Sequence, residues 1–89
     1  MMIDSKLWLD KRFRKLSIFG RLVFIGMISQ ANDEGILNPD PNLIHTGMGY
    51  FASSHTPEQV ATEVQNAFEV GLAVHHQVDG TPYAKLMHE

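Results

Sequence analysis

The segment from Ile18 to Ala31 carries apolar side chains on nearly every side of a helical projection: Ile18, Phe19, Leu22, Val23, Phe24, Ile25, Met27 and Ile28. Such a helix has no polar face to turn to water, so it belongs at the centre of a fold with other elements packed around it. Ser17 offers the cap at its start. Gly20 and Gly26 sit inside it, and each costs roughly 1 kcal/mol relative to alanine, which predicts that neighbours approach the helix backbone closely at those two points.

The same segment tests the membrane alternatives. The apolar run from Leu16 to Ile28 includes Arg21 and is shorter than the roughly 20 residues that span a bilayer. Basic residues before it and Ser29-Gln30-Ala31 after it imitate a secretory leader. Cleavage there would remove the segment the core depends on, so no membrane association is expected. Cysteine is absent, which leaves out disulfides, thiolate metal sites and a cysteine nucleophile and fits a cytoplasmic protein.

With 89 residues, 44% of them hydrophobic and 19% charged, the chain has the makeup of a single domain, 1–89, with one modest core. The stability margin of so small a domain is narrow, so a homodimer or higher oligomer that buries further surface is a live alternative. The net charge of −3 is against a protein that merely coats nucleic acid. Its distribution says more. Residues 1–21 hold Lys6, Lys11, Arg12, Arg14, Lys15 and Arg21 against Asp4 and Asp10, whereas the remainder sets Lys85 alone against eight acids.

From Asp4 to Lys15, Leu7, Trp8, Leu9 and Phe13 are interleaved with the basic cluster, so this stretch should pack on the domain as extended chain with a short helical turn. After the central helix, Asn32-Asp33-Glu34-Gly35 reads as a turn and Ile36-Leu37 as a short strand. Asp40-Pro41 starts a short helix through Leu43, Ile44 and His45 that ends near Gly47 or Gly49. Tyr50 to His55 reads as a loop with two buried aromatics. Thr56-Pro57-Glu58-Gln59 is the strongest start signal: a threonine cap, proline at the first position and a glutamine that completes a capping box. The helix it opens sets Val60, Ala61, Val64, Ala67 and Phe68 on one face, and Gly71 closes it. Leu72–Val78 and Tyr83–Met87 flank Asp79-Gly80, a strong hairpin signal.

Helix, short strand, helix, helix and hairpin is the order of an α+β winged helix-turn-helix: three main helices with a small antiparallel sheet, in which Ile36-Leu37 joins the C-terminal β-hairpin wing as a third strand. Trp8-Leu9-Asp10 with Phe13 and Leu16-Ser17, Arg21-Leu22 with Phe24-Ile25, Asn32-Asp33-Glu34-Gly35, Gly71-Leu72, and Val78-Asp79-Gly80 with Tyr83 together resemble the N-terminal domain of phage replication-initiation and replisome-organiser proteins, relatives of the bacterial DnaD-type primosome proteins. The likeness covers nearly the whole chain. It implies a DNA-binding module for replication initiation with replication proteins as partners; the relatives continue into a further domain, so residues 1–89 would be either the N-terminal part of a longer protein or an abbreviated form. It also implies a rival, a self-association module with no direct DNA contact.

In a winged helix the third main helix is the one presented to the major groove. Its solvent face should carry Glu58, Gln59, Thr62, Gln65, Asn66 and Glu69 with Glu63 at the flank. Gln59, Thr62, Gln65 and Asn66 could bond base edges, while the glutamates repel phosphates, so a plain solvated face or a protein contact weighs slightly more. Lys11, Arg12, Arg14 and Lys15 precede the central helix, and with Arg21 they could converge on a visiting phosphate at its N-terminus. Neutralisation of this cluster by Asp4, Asp10 and other acids weighs about equally. Lys85 on the wing is a second candidate for DNA contact.

Five histidines invite a metal reading. Adjacent strand residues point to opposite faces, so His75 and His76 cannot chelate one ion, and His45, His55 and His88 lack ligand spacing. No serine elbow, phosphate-binding glycine loop or carboxylate pair at an obvious catalytic spacing is present, and Asp33-Glu34 is turn chemistry. Neither an enzyme nor a cofactor is expected.

Overall fold

A computed structural model describes residues 5–87, the side chains of Ser5, Tyr50 and Phe51 excepted. Each expected helix start is built by the side chain that signalled it. Ser17 Oγ accepts from the Gly20 N–H at 2.9 Å and opens α2, Ile18–Gln30. Asp40 accepts from Asn42 N–H at 2.9 Å, with Pro41 as the first residue of α3, Pro41–Met48. Thr56 and Gln59 exchange the two bonds of a capping box at the head of α4, Pro57–Glu69. Gly71 ends α4 at φ 87°: its N–H donates to Phe68 O and that of Leu72 to Ala67 O, a Schellman closure with Leu72 fully buried behind it.

The opening stretch has the expected short helical turn, but a second helical piece stands where extended chain was expected. The stretch is a 3-10 helix, Ser5–Leu9, followed by one α-helical turn, α1, Lys11–Arg14. Asp10, whose carboxylate accepts from Arg12 N–H at 2.8 Å, starts the α-helical turn. Leu7 and Phe13 are buried, Phe13 against Phe24 of α2, while Trp8 and Leu9 face outward.

The sheet is antiparallel in the order β1-β3-β2, with β1 at Ile36–Leu37, β2 at Ala73–Val78 and β3 at Thr81–Leu86. Ile36 pairs with Lys85 and Leu37 with Ala84, so the short strand joins the hairpin as its third member. Asp79 and Gly80 both have positive φ, 53° and 81°, as the two-residue turn of a right-twisted hairpin requires. This is an α+β domain with the winged-helix arrangement.

The core is the inner side of that arrangement: Phe13, Val23, Phe24, Met27, Ile44, Val60, Val64, Leu72, Ala84 and Leu86 form one cluster. The two glycines of α2 stand where the helices meet. A Cβ on Gly26 would lie 2.8 Å from Met48 Cγ of α3, and one on Gly20 would lie 3.1 Å from Glu63 Oε2 of α4. α2 is not buried all round, however. Ile18 is 77% exposed, and Leu22, Ile25 and Ser29 continue its outer face beside Gly47 and Met48, lining a shallow groove.

Between α3 and α4 the chain makes a 3-10 turn, Gly49–Ala52. His45 Nε2 lies 3.1 Å from Ala52 O and 2.6 Å from His55 O, so it bonds the turn back onto α3. The His55 ring stacks on Phe19 at 3.7 Å. The expected burial of Tyr50 and Phe51 concerns side chains outside the described set, as do Asp4 and His88. No helix among the described residues is long and apolar enough to cross a membrane.

Candidate nucleic-acid interface

The six basic residues at the start of the chain do not act as one cluster. Arg12 is held by three side-chain hydrogen bonds to two partners. Its Nε and Nη2 donate to the two carboxylate oxygens of Asp10 at 3.1 and 2.8 Å, and its Nη1 donates to Gly71 O at 3.0 Å. The guanidinium hydrogen-bonded to Asp10 lowers that carboxyl from 3.8 to about 2. Because Gly71 lies between α4 and β2, Arg12 fastens α1 to the base of the wing, where a cation also complements the carbonyl end of α4.

Arg21 is likewise engaged. From the first turn of α2 it donates through Nη2 to Arg14 O at 3.0 Å and through Nε to Phe13 O at 3.4 Å, closing the last carbonyls of α1. Arg12 and Arg21 therefore fix where the basic turn stands.

Lys11, Arg14 and Lys15 are exposed, and among the described residues their side chains take no hydrogen bond or ion pair. At spacings of three and four residues they share one face of the α1 turn, opposite the buried ring of Phe13. Three unpaired cations thus project together from a segment clamped at both ends.

The anion expected at the N-terminus of α2 is supplied from within the chain. Ser17 Oγ, which caps α2, donates to Glu63 Oε2 at 2.6 Å, and Asn66 Nδ2 donates to Glu63 Oε1 at 2.7 Å. Glu63 is buried and not at the flank of α4 as its sequence position suggested. It completes the stripe Val60, Glu63, Val64, Ala67, whose three- and four-residue spacing is the signal that could have placed it inward.

The outer face of α4 is poorer in free donors than the sequence implied. Gln59 closes the capping box, the Thr62 hydroxyl donates to Glu58 O at 3.2 Å, and Asn66 serves Glu63. Gln65 is exposed with no hydrogen bond among the described residues. Glu58 and Glu69 stand exposed on the same helix.

Lys85 is exposed on the outer side of the sheet, between Ile36 and Val74. Val74 is only three residues beyond Gly71, at most about 10 Å along the strand, so Lys85 stands at the end of the hairpin to which Arg12 is tied. His75 and His76 do point apart: His75 meets the edge of Phe68 of α4, and His76 stacks on Tyr83.

The fold and this distribution of side chains define a small winged helix with a clamped basic turn beside the wing. No family model, curated protein or solved structure matches the chain.

Proposed function

We propose that this chain is a binding module and not a catalyst: the winged-helix domain of a phage-type DNA replication initiation protein, which grips double-stranded DNA by its phosphates. The observation that carries the reading is the common face of Lys11, Arg14 and Lys15, held by Arg12 and Arg21. A guanidinium group forks onto phosphate oxygens and lysines add point charges, and fixing the turn beforehand lowers the ordering cost of contact. Lys85 extends the contact along the wing. The α4 face, with exposed Glu58 and Glu69 and Gln65 as its free amide, adds little base readout, so binding is led by the backbone and only weakly sequence-dependent. Replication proteins are the expected partners, in the cytoplasm.

The test is a fluorescence anisotropy titration of labelled duplex DNA at low salt. Micromolar binding that is abolished in Lys11→Glu/Arg14→Glu/Lys15→Glu, with an unchanged circular dichroism spectrum, supports the reading. A folded wild-type protein that ignores duplex at low salt sinks it. Arg12 and Arg21 are unsuitable for this experiment, because their loss would disturb the segment itself.

A further inference from the structure

The wing ends in an unprotected strand edge. β2 is the outermost strand of the sheet, and the hydrogen-bond phase along it follows from one contact. Met87 N–H donates to Leu72 O at 2.7 Å, which makes Leu72 and Met87 a hydrogen-bonded pair. Antiparallel ladders alternate, so Val74 with Lys85, His76 with Tyr83 and Val78 with Thr81 are the bonded pairs of the hairpin. Pro82, opposite Gln77, fits this phase because its missing N–H faces away from β2. The N–H and C=O groups of His75 and Gln77 consequently point outward, where no further strand lies among the described residues.

Natural edges are blunted with lysine, proline or a bulge. The segment Ala73–Val78 has none of these, and its register with β3 runs without interruption. Ala73 is buried, so the accessible edge is Val74 to Val78, with His76 at its centre. On the outer face the side chains read Val74, His76, Val78, a pattern that is the same in both directions. The hairpin from Ala73 to Leu86 carries one acid, Asp79, and one strong base, Lys85, so identical wings meet without like-charge opposition.

We infer that β2 pairs antiparallel with β2 of a second copy about a two-fold axis at His76, joining the two sheets into one. In this register His75 and Gln77 exchange backbone bonds with Gln77 and His75 of the other copy. On the outer face Val74 meets Val78 and the two His76 side chains lie side by side. An axis perpendicular to the sheet keeps both cores on one side and requires opposed residues to share a face, which centring on His76 satisfies. The inference is independent of the DNA reading.

The experiment is sedimentation equilibrium of the wild-type chain, Gln77→Pro, His76→Lys and Leu22→Glu from micromolar to millimolar concentration, with circular dichroism and urea unfolding on each. Gln77→Pro removes one outward N–H and leaves the β2–β3 ladder intact; His76→Lys places like charges across the axis. A wild-type dimer that is weakened roughly tenfold or more in both, with hairpin and stability retained, and that survives Leu22→Glu, is the expected result. If Gln77→Pro fails to fold, His76→Lys carries the comparison. A wild type that stays monomeric throughout, a folded edge variant that dimerises like wild type, or a dimer lost only in Leu22→Glu overturns the inference.

Discussion

Arg12 and Arg14 stand two residues apart in a basic run, yet the structure gives them different work, and replacing each with methionine separates the two. Arg12→Met keeps most of the aliphatic stem but deletes the paired bonds to Asp10 and the bond to Gly71 O. The Arg12–Asp10 pair is partly exposed, with 34% and 21% of its side chains accessible, so it contributes about 0.5–1 kcal/mol. The bond to Gly71, from a charged donor, adds about 1–1.5 kcal/mol. The loss should total about 1.5–2.5 kcal/mol, which for a domain of this size lowers the unfolding midpoint by on the order of 10 °C. Arg14→Met removes no side-chain partner and should stay within about 0.5 kcal/mol of wild type. Thermal and urea unfolding followed by circular dichroism measure both. Equal stability of Arg12→Met and wild type, or a larger loss in Arg14→Met, would refute the division between clamping and presented cations.

Three further outcomes follow from the same contacts. Glu63→Gln cannot accept from both Ser17 and Asn66, so it should lose about 1–2 kcal/mol in urea unfolding, and Glu63→Ala more, since it also leaves the Asn66 amide without its acceptor; unchanged midpoints would argue against the buried link between α2 and α4. Asp10 has its folded pKa lowered from 3.8 to about 2, so its contribution is complete above about pH 4 and disappears as the pH falls through about 2; discounted for solvent, it amounts to about 1 kcal/mol. The gap in urea midpoint between wild type and Asp10→Asn should therefore be fully open at pH 5 and much narrowed at pH 2, and a constant gap would contradict the assignment. Gly26→Leu would drive its side chain into Met48 and push α3 from α2, lowering stability by about 1–3 kcal/mol in the same assay; a neutral result would mean the contact is looser than its 2.8 Å approach indicates.

What could be read from the chain beforehand was local chemistry. Ser17, Asp40 and Thr56 announce their helices because a cap acts over two or three residues, and Asp79-Gly80 announces the wing because both positions need positive φ. In the opening stretch the short helical turn was legible, whereas the 3-10 helix Ser5–Leu9 was missed, since so short a piece carries too little periodicity to stand out. The roles of Arg12, Arg21 and Glu63 depend on partners brought close only by the fold. Arg12 meets Gly71 and Glu63 meets Ser17 across the tertiary structure, and no spacing along the chain reports such a pairing. Glu63 did leave a trace, as a charged residue inside an apolar stripe. α2 looked wholly interior because hydrophobicity around a helix does not reveal which side lacks a neighbour. Its Ile18–Leu22 side stays at the surface.

The salt dependence of duplex binding tests the proposed function most directly. Each phosphate neutralised adds about 0.9 to the slope of log affinity against log salt concentration. Replacing Lys11, Arg14 and Lys15 together with alanine should make that slope shallower by about 2–3 and lower the affinity at every salt concentration. Parallel slopes for wild type and the triple variant, or no binding by the folded wild-type domain at low salt, would contradict the account.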